Sequence, residues 1–333
     1  MLQTYGHDIG GFEGPQPTPE HLVRWIQLGI YSPRFTINCY KTSPEDNLIG
    51  EVIEPWMHPS VTPIIRDTIK RRYELVPYTY SQALKSHMTA VPPQRWTGWG
   101  YESDPVVWSR EVVEADTQYW FGDALLIAGI YEPGKDSARV YLPKKDGDFG
   151  FLNTHAPFEY RASGQWHEIS STWHSSIPVL ARIGSVVPVG KNKHTTARIH
   201  TAEDEEFPGV EKDDWRGTEI FPPPAHGLHK GVAAEFESTW FEDDGISSQA
   251  KAELATIQLA YTVGENPEEP IGVKVQVTKD GQWEPLWLSS GVNIILPVGE
   301  ERAIKPIDES AVVADKGRDA QGRRVWNVTV SKA

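Results

Sequence analysis

Few residues in this chain stand at spacings suited to chemistry, and the first group lies in HDIGGFEGP, His7 to Pro15. Asp8 precedes two glycines, and Phe12 follows them. Gly10 and Gly11 have no Cβ, so the backbone there can turn sharply or approach another group closely. A carboxylate before such a turn and an aromatic after it can line a pocket; the same string suits a surface turn equally well. A second group is RWTGWGYESD, Arg95 to Asp104. Two tryptophans with an arginine and nearby carboxylates suit a sugar platform, but tryptophans also cement packed domains, and that structural role is the stronger expectation. Glu242-Asp243-Asp244-Gly245 has the charge for calcium without the spaced ligands of a calcium loop, and reads as a hairpin turn. The 11 histidines show no metal-ligand spacing, and His7 beside Asp8 reads as structural. Cys39 reads as a buried thiol, since nothing near it in sequence would activate it. Asn327-Val328-Thr329 matches a glycosylation sequon, which matters only if the chain is secreted and that Asn exposed. No metal and no cofactor is expected.

Composition narrows the classes. At 333 residues the chain has room for more than one core, and two or three domains are expected. The net charge of −14 predicts a soluble acidic protein. It argues against a nucleic-acid partner, which would need clustered Lys and Arg to neutralise phosphates. No apolar run reaches membrane-spanning length, and the first residues lack the basic start and apolar centre of a secretory signal. One cysteine rules out an internal disulfide and Cys-rich zinc patterns, which favours a reducing, cytoplasmic setting. An early start would have removed any signal, so the compartment stays open.

The elements that must carry these residues change along the chain. Thr18-Pro19 is a helix start, with a capping hydroxyl and a proline at the first turn. Leu22, Trp25, Ile26 and Gly29 then share a face, and Gly29 suits a stop. A second helix is expected from Thr62-Pro63, with Ile64, Ile65, Thr68, Ile69, Arg72, Leu75 and Val76 on one face until Pro77 interrupts it; Tyr78 to Met88 extends as a further piece. From about Asp116 the texture is that of strands: TQYWFGDALLIAGIY, ARVYLP and IPVLARIGSVVPVG are short apolar runs bounded by Gly, Pro and Asp. The acidic stretch TAEDEEFPGVEKDDW precedes FPPPAHG, whose proline triplet suits an extended connector. VKVQV and RVWNVTV alternate, and Asp280-Gly281 signals a hairpin. No internal repeat is present. About a hundred residues with few strands are a poor stand-alone α/β unit, and this imbalance reads as the tail of a larger domain.

Taken in order, the segments resemble glycoside hydrolase family 31, which includes α-glucosidases, α-xylosidases and α-glucan lyases. HDIGGFEGP with PEHLVRWIQLGIYSPRF resembles a late barrel segment of that family. IEPW and RRYELVPYTYS follow, then QYWFGDALLIAGIYEPG with SARVYLP, then TWFEDDG, in the family's order. The resemblance implies the last βα units of a (β/α)8 TIM barrel at residues 1–112, a proximal β-sandwich at 113–195 and a distal β-sandwich at 196–333. RWTGWGYESD would fall where the last barrel strand opens into a loop. Chemistry in such barrels sits at the C-terminal ends of the strands.

Retaining glycoside hydrolysis needs two carboxyl groups roughly 5 Å apart, one as nucleophile and one as acid/base. In the family both are aspartates on earlier strands, in motifs like W-x-D-M-N-E and W-x-G-D-N, and neither motif occurs in this chain. Asp123 in FGD matches the later β segment, so no catalytic nucleophile or acid/base is assigned. The resemblance implies substrate-binding roles for three residues. Asp8 would accept hydrogen bonds from sugar hydroxyls, and Phe12 would wall the apolar face of the ring. Asn38 stands where the family has the His of an Arg-x-His, with Thr36 in the Arg position and Arg34 two residues early. An amide donates and accepts but carries no charge. The expectation is a fragment of a retaining α-glycosidase acting on α-glucosides or α-xylosides, inactive alone. The alternatives are a non-catalytic remnant that binds carbohydrate and an α-glucan lyase. The expected partners are an α-linked oligosaccharide and, through the face where missing barrel strands would pack, a second copy of the chain; no nucleic acid and no membrane are expected.

Overall fold

The computed structural model describes residues 5–12, 14–37, 52–115, 117–193, 213–226, 232–248 and 253–332. The chain divides into two compact units. One comprises Met1–Arg72, Gln82–Ser185 and Phe221–His229, the other Tyr73–Ser81, Val186–Ile220 and Lys230–Ala333. Among the described residues no helix is long and apolar enough to cross a membrane.

The first unit opens with β1 (Asp8–Ile9), α1 (Pro19–Gly29) and β2 (Thr36–Ile37). β1 and β2 run parallel, with Asp8 opposite Thr36. Parallel neighbours need a crossover, and α1 lies between them in the chain. The helix starts where Thr18 Oγ1 accepts from the His21 amide at 3.2 Å, with Pro19 at its first turn. It buries Leu22, Val23, Ile26 and Leu28, but also Arg24 and Gln27, whose polar ends therefore need partners. Gln27 Nε2 donates to the Trp173 carbonyl at 3.0 Å. Arg24 pairs with Glu20 at 3.1 Å and donates to the Lys135 carbonyl.

Next in the chain come α2 (Thr62–Glu74) and α3 (Val76–Thr89), separated at Leu75 ahead of Pro77; their junction, Tyr73–Ser81, belongs to the second unit and the remainder to the first. Proline's lack of an N–H and its clash with the preceding turn explain the break. Arg72 near the end of α2 donates to the carbonyls of Ile30 (2.7 Å) and Pro33 (2.8 Å), the loop that follows α1. Burial lowers its pKa to about 10.

The rest of this unit is β structure: β3 (Gln94–Trp96), a one-turn α4 (Arg110–Val113), β4 (Gln118–Phe121), β5 (Leu125–Ala128), β6 (Ser137–Leu142), β7 (Phe151–Asn153), β8 (Tyr160–Arg161), β9 (Gln165–Ser170) and β10 (Val179–Arg182). Six strands form one sheet in the order β3-β4-β5-β10-β7-β8, while β6 and β9 make a separate ribbon. The two share a core: Trp120, Leu126, Phe151 and Leu180 from the sheet pack with Val140, Leu142 and Ile169 from the ribbon. Here the structure departs from the sequence expectation for RWTGWG. Its first residues do not end a parallel barrel strand; they form β3, antiparallel to β4. The side chain of Arg95 explains the placement, because it reaches Asp123 in the turn after β4.

The second unit contains β11 (Val186–Val189), β12 (Arg216–Ile220), β13 (Ala234–Glu242), β14 (Ala255–Val263), β15 (Ile271–Lys279), β16 (Val292–Ile295), β17 (Ile304–Pro306), β18 (Val313–Arg318), β19 (Arg324–Val328) and β20 (Ser331–Lys332). One sheet has the order β11-β12-β16-β19-β18 and the other β13-β14-β15-β17, with β20 beside β15. Buried residues of both sheets form one cluster, including Ile220, Ile294 and Val328 from the first and Ile257, Tyr261 and Val275 from the second. β14 shows the alternation that a half-buried strand requires. At the edge of the first sheet the register shifts between Asp315 and Arg318 of β18. The opposite edge strand, β11, contains Pro188.

Asp280-Gly281 does not make a hairpin. β15 pairs in parallel with β17, and the next strand, β16, belongs to the other sheet. Between them the fully buried Trp287 carries the chain across the core. Its indole Nε1 donates to Glu242 Oε2 at 2.9 Å. Glu242 also accepts from Trp240 Nε1 at 3.0 Å and from Arg216 Nε and Nη2 at 2.8 and 2.9 Å. Burial alone would depress the Arg216 pKa, but Glu242 and Asp213 outweigh it and raise it.

Removing one partner of a buried pair and leaving the other charge uncompensated costs about 3–5 kcal/mol. Glu242→Gln leaves Arg216 with Asp213 and is therefore expected to lower the stability of the second unit by less than that amount, read as a shift in urea midpoint at constant slope. Arg110→Met, which removes an exposed pair with Glu114, should leave the midpoint nearly unchanged.

Candidate functional site

Asp8 sits at the first position of β1, and the chain turns directly after that strand. The Gly11 amide donates to the Asp8 carbonyl at 2.9 Å, and Gly10 and Gly11 have φ of 93° and 92°. These left-handed values cost an L side chain but not glycine. Space imposes a further constraint at Gly10: a Cβ there would lie 2.5 Å from Ile53 Cγ2. Ile53 belongs to IEPW and is buried, as is Ile9. Ile9 Cδ1 in turn occupies the space a Cβ would take on Gly29, at 2.3 Å.

The strand end thus built exposes a carboxylate with one hydrogen-bond partner among the described residues. Arg34 Nη2 donates to Asp8 Oδ1 at 3.2 Å, and both side chains are about four-tenths exposed (41% and 43%). The Arg34 backbone is itself fixed, its amide donating to the Tyr5 carbonyl at 3.0 Å. Pairing of β1 with β2 sets Thr36 opposite Asp8. The structure therefore brings Asp8, Arg34 and Thr36 together. Phe12 lies beyond the glycine turn, 52% exposed, without a ring contact among the described residues. Asn38 and Cys39 lie outside the described residues. Counting from Trp25 in the sequence could not decide for Arg34; the ion pair comes from the loop after α1 folding back onto β1.

His7 is built into the scaffold. Trp25 Nε1 donates to its Nδ1 at 3.4 Å, and Trp25 stacks on His21 with centroids 5.0 Å apart. Burial lowers the His7 pKa, and the charge of Asp8 pulls it only partly back. A neutral ring is what an Nδ1 acceptor requires.

Asp123, in the turn between β4 and β5, bridges Lys85 Nζ at 2.5 Å and the Arg95 guanidinium. Burial alone would raise its pKa, but Arg95 first and then Lys85 hold it below the ordinary carboxylate value. Arg95 also donates to the Pro92 carbonyl at 2.8 Å and to Gln82 Oε1 at 3.3 Å. Both of its neighbours and its own geometry make Asp123 an internal clamp for α3, β3 and the β4–β5 turn.

The tryptophan-rich stretch divides between two roles. Trp120 and Tyr101 stack in the core, centroids 5.6 Å apart and planes 7° apart. Trp96, Trp99 and Trp108 are 36%, 37% and 58% exposed, and Trp96 lies 4.7 Å from Trp108. Asp243 and Asp244 spend their oxygens on a turn: Asp243 Oδ1 accepts from the Gly245 amide and from Tyr80 Oη, and Asp244 Oδ1 from the Ile246 and Ser247 amides. That turn opens the connection between the antiparallel β13 and β14.

Comparison with known proteins identifies these segments. The glycosyl hydrolases family 31 TIM-barrel domain matches residues 2–82, and the glycosyl hydrolase family 31 C-terminal domain matches residues 90–187. Together they cover just over half of the chain. A probable glucan 1,3-alpha-glucosidase of Arabidopsis thaliana is 32% identical over 184 residues, 55% of this chain and 18% of that protein. Neutral alpha-glucosidase AB of Homo sapiens is 32% identical over 193 residues, 56% of this chain and 18% of that protein. Among solved structures, a family 31 dextranase of Flavobacterium johnsoniae complexed with isomaltotriose superposes with a TM-score of 0.66 at 20% identity, covering 93% of this chain and 36% of the other. A family 31 alpha-xylosidase of Xanthomonas citri gives 0.60 at 22% identity, covering 85% and 26%. The chain thus spans less than a fifth of the length of these curated relatives.

Two outcomes follow from the geometry. Gly10→Ala meets both a strained φ and the Ile53 side chain, and is expected to destabilise the first unit by about 1–3 kcal/mol, measured by chemical denaturation. Asp123, with its pKa depressed in the fold, contributes stability that is fully present above the ordinary Asp pKa of about 3.9 and is lost as pH falls through its lower folded value. Asp123→Asn should therefore flatten the acid limb of a stability-against-pH profile while lowering stability at neutral pH.

Proposed function

The chain belongs to glycosyl hydrolase family 31, and we propose that its first segment supplies one wall of the sugar site of a retaining α-glycosidase acting on α-linked glucose or xylose. The observation that carries this reading is Asp8 at the end of a parallel strand, oriented by Arg34 and set beside Thr36, within the segment matched by the family's barrel domain. Such a carboxylate can accept from sugar hydroxyls, and charged acceptors make the stronger hydrogen bonds. Among the described residues only its Oδ1 is engaged, which leaves Oδ2 for the ligand. Arg34 adds a donor at the same place. The exposed ring of Phe12 offers a stacking surface for the apolar face of a sugar. In this reading Asn38 provides the amide that stands in for the family's imidazole. The domain boundaries that accompany it are those expected from the sequence, residues 1–112, 113–195 and 196–333, except that β3 goes with the sheet of the second.

Cleaving a glycosidic bond with retention takes a nucleophile and an acid/base flanking the anomeric centre. Asp8 cannot serve as both, and the sequence holds neither of the two aspartate motifs of the family. That absence favours a second reading, in which this chain binds carbohydrate without turning it over. Elimination to an unsaturated anhydro sugar, the lyase reaction, would need the same absent carboxylates and is distinguished by its product.

The test combines binding with turnover. The chain is expected to bind isomaltose or glucose weakly, with Asp8→Ala and Arg34→Met each lowering affinity about tenfold, measured by calorimetry or ligand-observed NMR. It is expected to hydrolyse no p-nitrophenyl α-glucoside or α-xyloside. Unchanged sugar binding in Asp8→Ala overturns the assignment of the wall. Sustained turnover abolished by Asp8→Ala overturns the non-catalytic part while keeping the family site.

A further inference from the structure

We propose that the first unit carries a second binding site, a cationic cleft that takes a tetrahedral oxyanion, phosphate or sulfate, either free or borne on a sugar. The cleft has a volume of about 220 Å³, and Arg95, Trp99, Tyr101, Asp123, Lys145 and Arg182 line it. These residues come from β3 and the loop after it, the β4–β5 turn, the β6–β7 loop and the end of β10.

The charges around the cleft do not balance. Lys85 and Arg95 are both committed to Asp123. Lys145 has Glu102 and Asp148 near it and Arg182 has Asp148, but among the described residues neither forms an ion pair with a carboxylate. Asp148 already accepts from the Lys145 amide through Oδ2, at 3.2 Å. Four cations therefore surround three carboxylates, Asp123, Asp148 and the exposed Glu102, in a protein whose overall charge is −14.

The donors and acceptors do not balance either. Arg182 Nε is buried and makes no hydrogen bond, and the Tyr101 hydroxyl, buried beside Asp148 and Arg182, makes none of ordinary geometry. A buried donor left unpaired is costly, so two such groups in one cleft favour a ligand that accepts. Lys145 Nζ lies 4.8 Å from the centroid of the Tyr101 ring, with three donor hydrogens and no hydrogen bond among the described residues. Both oxygens of Asp123 and Oδ2 of Asp148 are occupied. A neutral sugar presents hydroxyls that donate as well as accept, and would find few free acceptors here. An oxyanion only accepts, carries the missing negative charge and suits an Arg–Lys pair. A phosphate fills part of the volume, and the half-exposed indole of Trp99 walls the remainder, the surface on which an attached sugar ring would lie. This site is separate from the Asp8 strand end and shares no residue with it.

The test is calorimetric titration of the full chain with inorganic phosphate, sulfate, glucose 1-phosphate and glucose. Phosphate is expected to saturate one site, with affinity falling as salt rises. Lys145→Met and Arg182→Met should each weaken it at least about tenfold, and Tyr101→Phe about threefold. Lys145 is exposed, so its variant folds even if Arg182→Met does not; circular dichroism checks both. Asp8→Ala, which impairs the sugar wall, should leave phosphate affinity intact. Tighter binding of glucose 1-phosphate than of phosphate identifies a sugar-borne anion, and equal binding a free one; both support the site. Absence of saturation by phosphate and sulfate, affinity unchanged in folded Lys145→Met, or glucose binding that competes with phosphate overturns it.

Discussion

The N-terminal segment depends on two places where a side chain occupies the space of a missing Cβ. Ile9 fills the gap at Gly29 of α1, and Ile53 fills the gap at Gly10 after β1. Between these two isoleucines, both about 1% exposed, a strand of only two residues is held in one position. Two residues of ladder could not do this alone. The apolar seats fix the backbone, and the backbone fixes the direction of the Asp8 carboxylate. Arg34 then refines an orientation that packing has already set.

The carboxylates of this protein show how surroundings assign different work to the same group. Glu242 is buried and receives four donors, from one arginine and two indoles, so it has nothing left for a ligand and joins the two sheets of the second unit. Asp123 is shared between a lysine and an arginine and clamps a helix to a turn. Asp8 has one ion-pair partner among the described residues and is part-exposed to solvent. An exposed pair of that kind is worth at most about 1 kcal/mol, so its value to the fold is small and its oxygens remain available. The cationic cleft is the reverse case, with donors outnumbering acceptors.

Much of the scaffold was legible in the sequence. Thr18-Pro19 starts the first helix and Pro77 separates the next two because capping and proline's backbone restriction are local effects. Gly29, the last residue of the first helix, answers instead to the packing of Ile9. The apolar runs around Trp120, Leu126 and Leu180 became strands because short runs buried almost throughout, bounded by Gly, Pro and Asp, leave a direct trace. What stayed hidden depends on contacts between distant residues. Asp280-Gly281 has the composition of a hairpin, but the burial of Trp287 draws the following chain into the other sheet. Arg34 could not be joined to Asp8 without knowing how the loop after α1 returns. Glu242 sat in a string that suggested a turn or an ion, while its structural partner, Arg216, is remote in sequence. Tyr101, Lys145 and Arg182 are each unremarkable alone; only the fold makes them neighbours.

The two outer strands of the β11-β12-β16-β19-β18 sheet carry the last lesson. One edge strand contains Pro188, which lacks an amide to donate, and the other is kinked between Asp315 and Arg318 and bristles with exposed charge. A flat, unpaired edge is a template on which foreign strands can add, the first step toward fibrillar growth. Both edges here are unsuited to that templating. A copy of this chain that meets another can associate through its side-chain surfaces, but this sheet does not invite it to extend the ladder.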